Sequence, residues 1–388
     1  MSKPQRYRFL DLYRGLIVLF MLEGHVLRAV LLTEEQREGW FALHEIFHGV
    51  TGPGFLFGAG FAFAIATQRR WEQLLTLSPA FFRRLWRAAL LVVIGYLLHL
   101  PYFSFRKVFE GSLPGEWDTF FAFDALQCIG VTLIALRLLL ITFRSERWFF
   151  RSVTALLLAV VYATPFLWDP VHTAHFPRFL SQAVNGLSGS FFPLFPNAGF
   201  LLAGTLVAWL FLRKGQEGME QGFIKNLGVT GLGLILAGML LDRVPLQMYP
   251  VYNFWFTSPN FFWMRLGILF LLLSGLWYFE NAVSHSDRHD VWMPKWLNVL
   301  GVESFFVYIA HLVLLYGWVL NPGDNVTAWW GLKLSLPPSL IVSAGFIVSM
   351  VLLAWGWNYC KKHHPVVMQG LYWWIGSVFL YYFLKNPW

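Results

Sequence analysis

Residues 6–30 read RYRFLDLYRGLIVLFMLEGHVLRAV, a largely apolar run that is long enough to cross a bilayer. Asp11, Arg14, Glu23 and His25 interrupt it, and it lacks the small-residue cleavage site of a signal peptide. We therefore expect a retained first membrane span. Ionisable side chains inside a membrane are costly, so each of these four needs a partner, a cavity or a function.

The composition of the whole chain agrees with this interpretation. Hydrophobic residues make up 57% of the 388 residues and charged residues only 13%, which excludes a water-soluble globule. Recurring runs of roughly 20 apolar residues predict an all-α, polytopic integral membrane protein with about eleven transmembrane helices. The predicted spans are Leu10–Leu32, Val50–Thr67, Ala88–Phe105, Phe120–Thr142, Val153–Trp168, Phe191–Leu212, Leu227–Leu241, Phe261–Phe279, Leu297–Leu320, Leu340–Trp357 and Val366–Leu384.

The distribution of positive charge predicts the topology. With these spans, 18 of the 29 Lys and Arg residues fall on the side of the N-terminus, seven on the other side and four within spans. Short basic loops stay in the cytoplasm, so we expect a cytoplasmic N-terminus and an external C-terminus. The net charge of +8 then has a topological cause, and no nucleic-acid partner is expected.

No repeat or long polar linker separates the spans, so residues 1–388 are expected to form a single transmembrane domain. The only cysteines, Cys128 and Cys360, provide no disulfide framework.

Within the first span, Arg14 and His25 are eleven steps apart and return to within about 20° of the same helix face, about 16 Å apart along the axis. They are expected to face one cavity. Asp11 lies one turn before Arg14 and can pair with it. Glu23 points to the opposite face and is expected to meet a different helix.

The predicted topology places further polar groups at the outer level of His25. They are His44, His48, His99, Asp124, Gln127 and His311. A single histidine inside a membrane is more often an interhelical strut than a catalyst, but His25 and His48 both suit a general base shielded from water. The spacing of His44 and His48 also allows a metal pair, but this signal is weak alone and no metal site is predicted.

Two stretches rich in glycine and proline break the span pattern. Residues 49–60 read GVTGPGFLFGAG and residues 191–204 read FFPLFPNAGFLLAG. The first allows close approach of a helix or a ligand, and the second predicts an irregular or re-entrant segment. Helix packing is the alternative explanation for both.

Several of these segments resemble the transmembrane acyltransferase superfamily, which includes the acyltransferase type 3 enzymes and the relatives of heparan-alpha-glucosaminide N-acetyltransferase. LDLYRGLIVLFMLEGH resembles their first-span signature, in which an Arg precedes a His by the spacing of Arg14 and His25. FHGVTGPGFLFGAG, DALQCIGVTLIAL, FPLFPNAGFLLAG and LGVESFFVYIAHLVLLY resemble later elements of the acetyltransferase branch. Relatives often carry an Asp beside the first-span His, where this chain has Gly24, so the identity of the base stays open.

The resemblance implies transfer of an acyl group, commonly acetyl from cytoplasmic acetyl-CoA, to a glycan or lipid-linked sugar beyond the membrane. It implies no permanently bound cofactor, and a bacterial inner membrane is the expected location. His25 or His48 would be the base, Arg14 would shape the donor channel, and the other polar groups would support the site. A basic group on the predicted inside could hold CoA phosphates, namely Arg69, Arg70, Arg83, Arg84 and Arg87.

Two alternatives remain at the level of sequence. In the first, the five arginines on the predicted cytoplasmic side bind no CoA and only fix the orientation of the protein in the membrane. A transporter or flippase would place the same ionisable groups along a substrate path, although the chain lacks the internal repeat common in such proteins.

Overall fold

A computed structural model describes residues 7–100, 103–110, 114–244, 248–284, 294–318 and 320–386. Within these ranges the chain is helical and forms no strand, which confirms the all-α prediction. The helices are α1 (Arg8–Val30), α2 (Gly39–His48), α3 (Thr51–Gln68), α4 (Trp71–Leu74), α5 (Pro79–Leu98), α6 (Phe105–Glu110), α7 (Pro114–Phe121), α8 (Ala125–Phe143), α9 (Glu146–Leu167), α10 (Pro170–Thr173), α11 (Arg178–Val184), α12 (Leu194–Gln216), α13 (Glu220–Leu241), α14 (Pro259–Ser284), α15 (Lys295–Val302), α16 (Ser304–Tyr316), α17 (Val326–Trp330), α18 (Leu336–His363) and α19 (Pro365–Lys385).

The protein is a polytopic membrane protein. In the described ranges, seven helical segments are long and apolar enough to span a membrane, or eight if the bent pair α15 and α16 is one span. Three more long helices, α1, α5 and α19, overlap predicted spans, but α1 and α5 carry several charges and α19 is rich in Trp and Tyr. The count of eleven stays a prediction. Two predicted spans, Ala88–Phe105 and Leu297–Leu320, include a few residues outside the described ranges.

The third predicted span, Ala88–Phe105, starts and ends later than the helix in the structure. Helix α5 begins at Pro79, nine residues before the predicted start, because Ser78 accepts a hydrogen bond from the Phe81 amide and Pro79 suits the first helical position. Arg83, Arg84 and Arg87 therefore belong to the helix and not to a loop. Long arginine side chains can extend from a helix end to the membrane surface, so their charge does not prevent a helix there.

The ninth predicted span is broken. Helices α15 and α16 meet at Glu303, where the axis bends by 85°. The carboxylate of Glu303 is buried and bonds Asn358 and Lys361 of α18. The continuous apolar run around this single Glu concealed the break from an analysis of hydropathy.

Contacts divide the chain into two compact units. Unit 1 contains Met1–Gly52 and Gly275–Tyr382, and unit 2 contains Pro53–Ser274 and Phe383–Trp388. The expected single domain stays a prediction.

Helix α1 is the central element of unit 1, where it packs against α15, α16 and α18. Thirteen of its 23 residues are buried, so most of this helix meets protein and not lipid. Gly15 allows the close contact with α15, because a Cβ there would lie 2.4 Å from the Leu297 carbonyl oxygen. At its end, the Leu334 amide donates to the Val30 carbonyl, and the Leu32 amide donates to the Leu334 carbonyl. Asp11, Arg14, Glu23 and His25 are half-buried on this helix, whereas Arg28 is exposed.

Helix α12 has the corresponding place in unit 2, against α8 and α9, with 14 of its 23 residues buried. Its start is irregular, as predicted, since Phe195 has non-helical dihedral angles. Both glycine-rich stretches serve helix packing. A Cβ on Gly60 would lie 1.9 Å from the Leu201 carbonyl oxygen, and one on Gly204 would lie 2.0 Å from the Phe57 carbonyl oxygen.

This contact gives a test of the packing in unit 2. We expect Gly204→Ala to lower the free energy of unfolding by about 1–3 kcal/mol, because backbone must move to admit the methyl group. Gly233→Ala in α13 is the matched control. No atom lies within 4 Å of its added Cβ, so it should gain about 0.5–1 kcal/mol from helix propensity. Unfolding in detergent measures both, and equal effects of the two variants would contradict the packing described.

Candidate functional site

Four histidines and a tyrosine of unit 1 meet beside the C-terminal half of α1. His25 lies on α1, His44 and His48 on α2, and His311 and Tyr316 on α16. The ring centroid of His25 is 5.4 Å from that of His48 and 5.2 Å from that of His311, and both pairs meet edge to face. We name these five residues the histidine cluster. The structure thus brings together four of the histidines singled out in the sequence.

His25 connects the interior of the cluster to the surface of unit 1. Its Nδ1 lies 3.2 Å from the hydroxyl oxygen of Tyr316. His25 is half-buried, whereas Tyr316 is 44% exposed. A substrate group that reaches Tyr316 would therefore come close to the His25 imidazole.

His48 packs directly on the backbone of α1. A Cβ on Gly24 would lie 2.0 Å from His48 Nδ1, so only glycine leaves room for the ring. Within the described part of the chain, this buried Nδ1 has no hydrogen-bond partner. The ring also stacks parallel to that of His44, with centroids 6.1 Å apart.

His44 is held by a carboxylate. Its Nε2 lies 3.0 and 3.2 Å from the two carboxylate oxygens of Glu23, and because a carboxylate accepts, Nε2 carries the proton. Phe41 stacks on the other side of the ring at 5.3 Å. Next to this pair, Arg28 forms an ion pair with Glu45. A carboxylate that orients an imidazole is a frequent arrangement in general base catalysis, so His44 joins His25 and His48 as a candidate.

His311 is fully buried and has a defined tautomer when neutral. Its Nδ1 lies 3.1 Å from the Val307 carbonyl oxygen, which can only accept, so Nδ1 carries the proton. Its Nε2 has no hydrogen-bond partner among the described residues. The lone pair of Nε2 is therefore available to a proton donor that enters the cluster.

The two halves of α1 meet different neighbours. Arg14 donates to the Ser304 hydroxyl at 3.3 Å, so Arg14 and His25 both contact α16, in agreement with their predicted common face. Glu23 contacts α2 through His44 and so meets another helix. Asp11 is half-buried next to Gly301, whose Cβ would lie 2.8 Å from the Asp11 carbonyl oxygen.

Three predicted supporting residues lie in unit 2, Asp124 and Gln127 at the start of α8 and His99 at the end of α5. Asp124 and Gln127 form a capping box, in which the Ala125 amide donates to Asp124 and the Asp124 amide donates to Gln127. His99 donates through Nδ1 to the Ala122 carbonyl at 3.3 Å, and its Nε2 is 4.0 Å from Asp124. These contacts explain the three side chains by the local structure of the helix start.

The basic group also lies in unit 2. Arg69 and Arg70 follow the end of α3, and the other three arginines lie in the first turns of α5. Arg84 donates to the Ala66 carbonyl at 3.3 Å and interacts electrostatically with Arg70 and Arg87. Over the described ranges, no group of three or more His, Cys, Asp or Glu residues has the geometry of a metal site.

The structure thus has several helices that are apolar enough to span a membrane and a cluster of imidazoles from α1, α2 and α16. The family model for the catalytic region of heparan-alpha-glucosaminide N-acetyltransferase matches residues 6–238, more than half of the chain. The protein belongs to this family and has a membrane acetyltransferase-type function. A comparison with curated proteins gave no match.

The matched region contains only part of the histidine cluster. His25, His44 and His48 lie within residues 6–238, whereas His311 and Tyr316 lie beyond its end. Sequence reasoning identified His311 but missed Tyr316, because a tyrosine near a span end is by default an interfacial anchor. Its position five residues after His311, close to the same end of the span, was the available signal.

Gly24 gives a test of the cluster's geometry. We expect Gly24→Ala to lower the acetyl-transfer rate about 100-fold, because the added methyl group displaces the His48 ring by an ångström or more. Gly39→Ala, at the start of α2, is the control, since no atom lies within 4 Å of its added Cβ. Transfer rates and thermal unfolding in detergent are measured together. Full activity of Gly24→Ala would show that the His48 position does not matter.

Proposed function

We propose that the protein transfers an acetyl group from cytoplasmic acetyl-CoA to a sugar hydroxyl or amine on the far side of a bacterial inner membrane. The acceptor would be a glycan or a lipid-linked sugar. The histidine cluster carries this proposal, since three of its histidines lie in the region that matches an acetyltransferase family. CoA is a co-substrate that leaves after each turnover.

Within this proposal, His25 is the preferred general base. It alone contacts His48, His311 and Tyr316, and it is the histidine that hydrogen-bonds the exposed tyrosine. As the acceptor oxygen or nitrogen attacks the thioester carbonyl, an unprotonated imidazole nitrogen takes the acceptor proton. The C–S bond breaks, and the CoA thiolate then receives a proton. His48 and His44 are the alternative bases, and Arg14 would line the path of the donor.

Sided proteoliposomes test this proposal. The purified protein would be reconstituted with radiolabelled acetyl-CoA on one side and a panel of amino sugars, neutral sugars and lipid-linked sugars on the other. We expect label on one acceptor class only, and only when the donor faces the N-terminal side. The orientation is determined independently by protease accessibility of an N-terminal tag. Transfer without this sidedness would contradict passage through the membrane domain.

One observation favours the transport alternative. The 85° break between α15 and α16 resembles the discontinuous helices that bind substrates in transporters. If sugar accumulates in proteoliposomes that lack any acetyl donor, transport replaces acetyl transfer as the function.

A further inference from the structure

Arg137 is a buried cation within the span formed by α8. A side chain that faced the bilayer would be exposed on the protein surface, whereas Arg137 is only 7% exposed and so faces protein. In the described part of unit 2, its Nε and Nη1 have no hydrogen-bond partner. An unpaired charge in a low-dielectric interior is strongly unfavourable. This side chain needs a counter-charge.

The groups around Arg137 do little to stabilise its buried positive charge. Its guanidinium lies 5.3 Å from the centre of the Phe63 ring in α3. One turn further along α3, the Thr67 hydroxyl is fully buried and likewise has no partner among the described residues. Arg265, the other arginine deep in a span of unit 2, also has an Nε without a hydrogen-bond partner among the described residues. It differs because it lies over two aromatic rings, at 4.4 and 5.3 Å.

The charges next to Arg137 have the same sign. Arg137 interacts with Arg84, which in turn interacts with Arg70 and Arg87. Arg70 and Arg87 are exposed, Arg84 is half-buried and Arg137 is buried, so positive charge extends from the surface into unit 2. Across the described residues, none of these four arginines forms an ion pair with a carboxylate. A ligand with more than one negative charge would relieve their mutual repulsion.

We propose that Arg137 is the inner end of an anion-binding site that takes a phosphate ester, with Arg84 as its second cation. The proposal rests on the proposed function for the source of this ligand, the phosphates of the CoA donor. Guanidinium groups bind phosphate oxygens in bidentate fashion, and burial away from water strengthens such bonds. The Thr67 hydroxyl, one turn from Phe63 on α3, is a further hydrogen-bond donor for the phosphate. An anionic phospholipid headgroup offers the same chemistry.

Binding measurements on the full chain in phosphatidylcholine nanodiscs test the site. The probes are CoA, dephospho-CoA and pantetheine, which carry successively fewer phosphates. We expect Arg137→Met to weaken CoA binding at least about tenfold and to leave pantetheine binding unchanged, since only the phosphate bonds are lost. Arg265→Met is the matched control and should bind CoA as the unmodified protein does. Arg137→Lys keeps the charge and should recover part of the affinity.

Stability distinguishes a ligand-binding arginine from a structural one. Because Met removes an uncompensated buried charge, Arg137→Met should melt at the same temperature as the unmodified protein or higher. A given CoA concentration should raise its melting temperature less than that of the unmodified protein. A much lower melting temperature without ligand would mean that protein groups already satisfy Arg137, and would overturn the proposal.

Measurements in nanodiscs that also contain phosphatidylglycerol distinguish the two possible ligands, the CoA phosphates and an anionic lipid headgroup. If Arg137→Met abolishes the stabilisation by phosphatidylglycerol and leaves CoA affinity unchanged, the site holds a lipid headgroup. If neither changes, the anion site is wrong, and acetyl transfer by the unmodified protein can still stand. If CoA binds through Arg137 but no acceptor is acetylated, the anion site stands and the proposed function fails.

Discussion

Replacing His25 with alanine should lower acetyl transfer by about a thousandfold, the typical contribution of a positioned general base. The ring of His25 lies between those of His48 and His311, and it is the only ring of the four that hydrogen-bonds Tyr316. Loss of this imidazole removes the proton acceptor and the connection between α2 and α16. The initial rate of label transfer from acetyl-CoA measures the effect.

The companion variants show which histidine is the base. His48→Ala should cost less than His25→Ala if His48 only supports the His25 ring, and about as much if His48 is itself the base. Tyr316→Phe removes one hydroxyl and should reduce the rate about tenfold, because the His25 ring loses a single orienting hydrogen bond. His172→Ala is the control, since His172 is exposed in unit 2 and should be silent. Full activity of both His25→Ala and His48→Ala would refute the mechanism.

The sequence predicted most of the long helices but not the short ones such as α2, because hydropathy and helix periodicity are local signals that need a long run. Helix α1 and the common face of Arg14 and His25 follow from spacing alone, and the structure places both side chains against α16. Helix α5 was misplaced because hydropathy windows discard its three arginines. The better signal was the cap, Ser78 followed by Pro79, which depends on single residues and not on an average.

Contacts between helices could be predicted only in part. Charge placed His44, His48 and His311 at the level of His25, but no sequence rule paired Glu23 with His44 or placed His48 on Gly24. Such pairs depend on how helices rotate against one another, which side-chain packing decides. Asp124 and Gln127, predicted as supporting residues, form the capping box of α8, and their role in a site stays a prediction.

The ion pair between Glu303, at the break between α15 and α16, and Lys361 of α18 should respond asymmetrically to mutation. The carboxylate of Glu303 is only 5% exposed and accepts from Asn358 at 2.6 Å and from Lys361 at 2.5 and 2.7 Å, whereas the Lys361 side chain is 43% exposed. Lys361→Met leaves a buried carboxylate without a cation and should cost about 2 kcal/mol, below the value for fully buried pairs because water reaches Lys361. Lys362→Met, at the exposed neighbouring position, is the control.

Glu303→Gln should cost less than about 1 kcal/mol, because Gln still accepts from Asn358 and Lys361 can turn to water. The double variant should then resemble Glu303→Gln alone. Thermal unfolding in detergent gives all three values, and a larger loss for Glu303→Gln than for Lys361→Met would contradict this reasoning. Glu303 directly precedes α16, the helix that carries His311 and Tyr316. Lys361→Met should therefore also slow acetyl transfer, although Lys361 is distant in sequence from His25. If unfolding shifts and the transfer rate does not, the break stabilises unit 1 without positioning the histidine cluster.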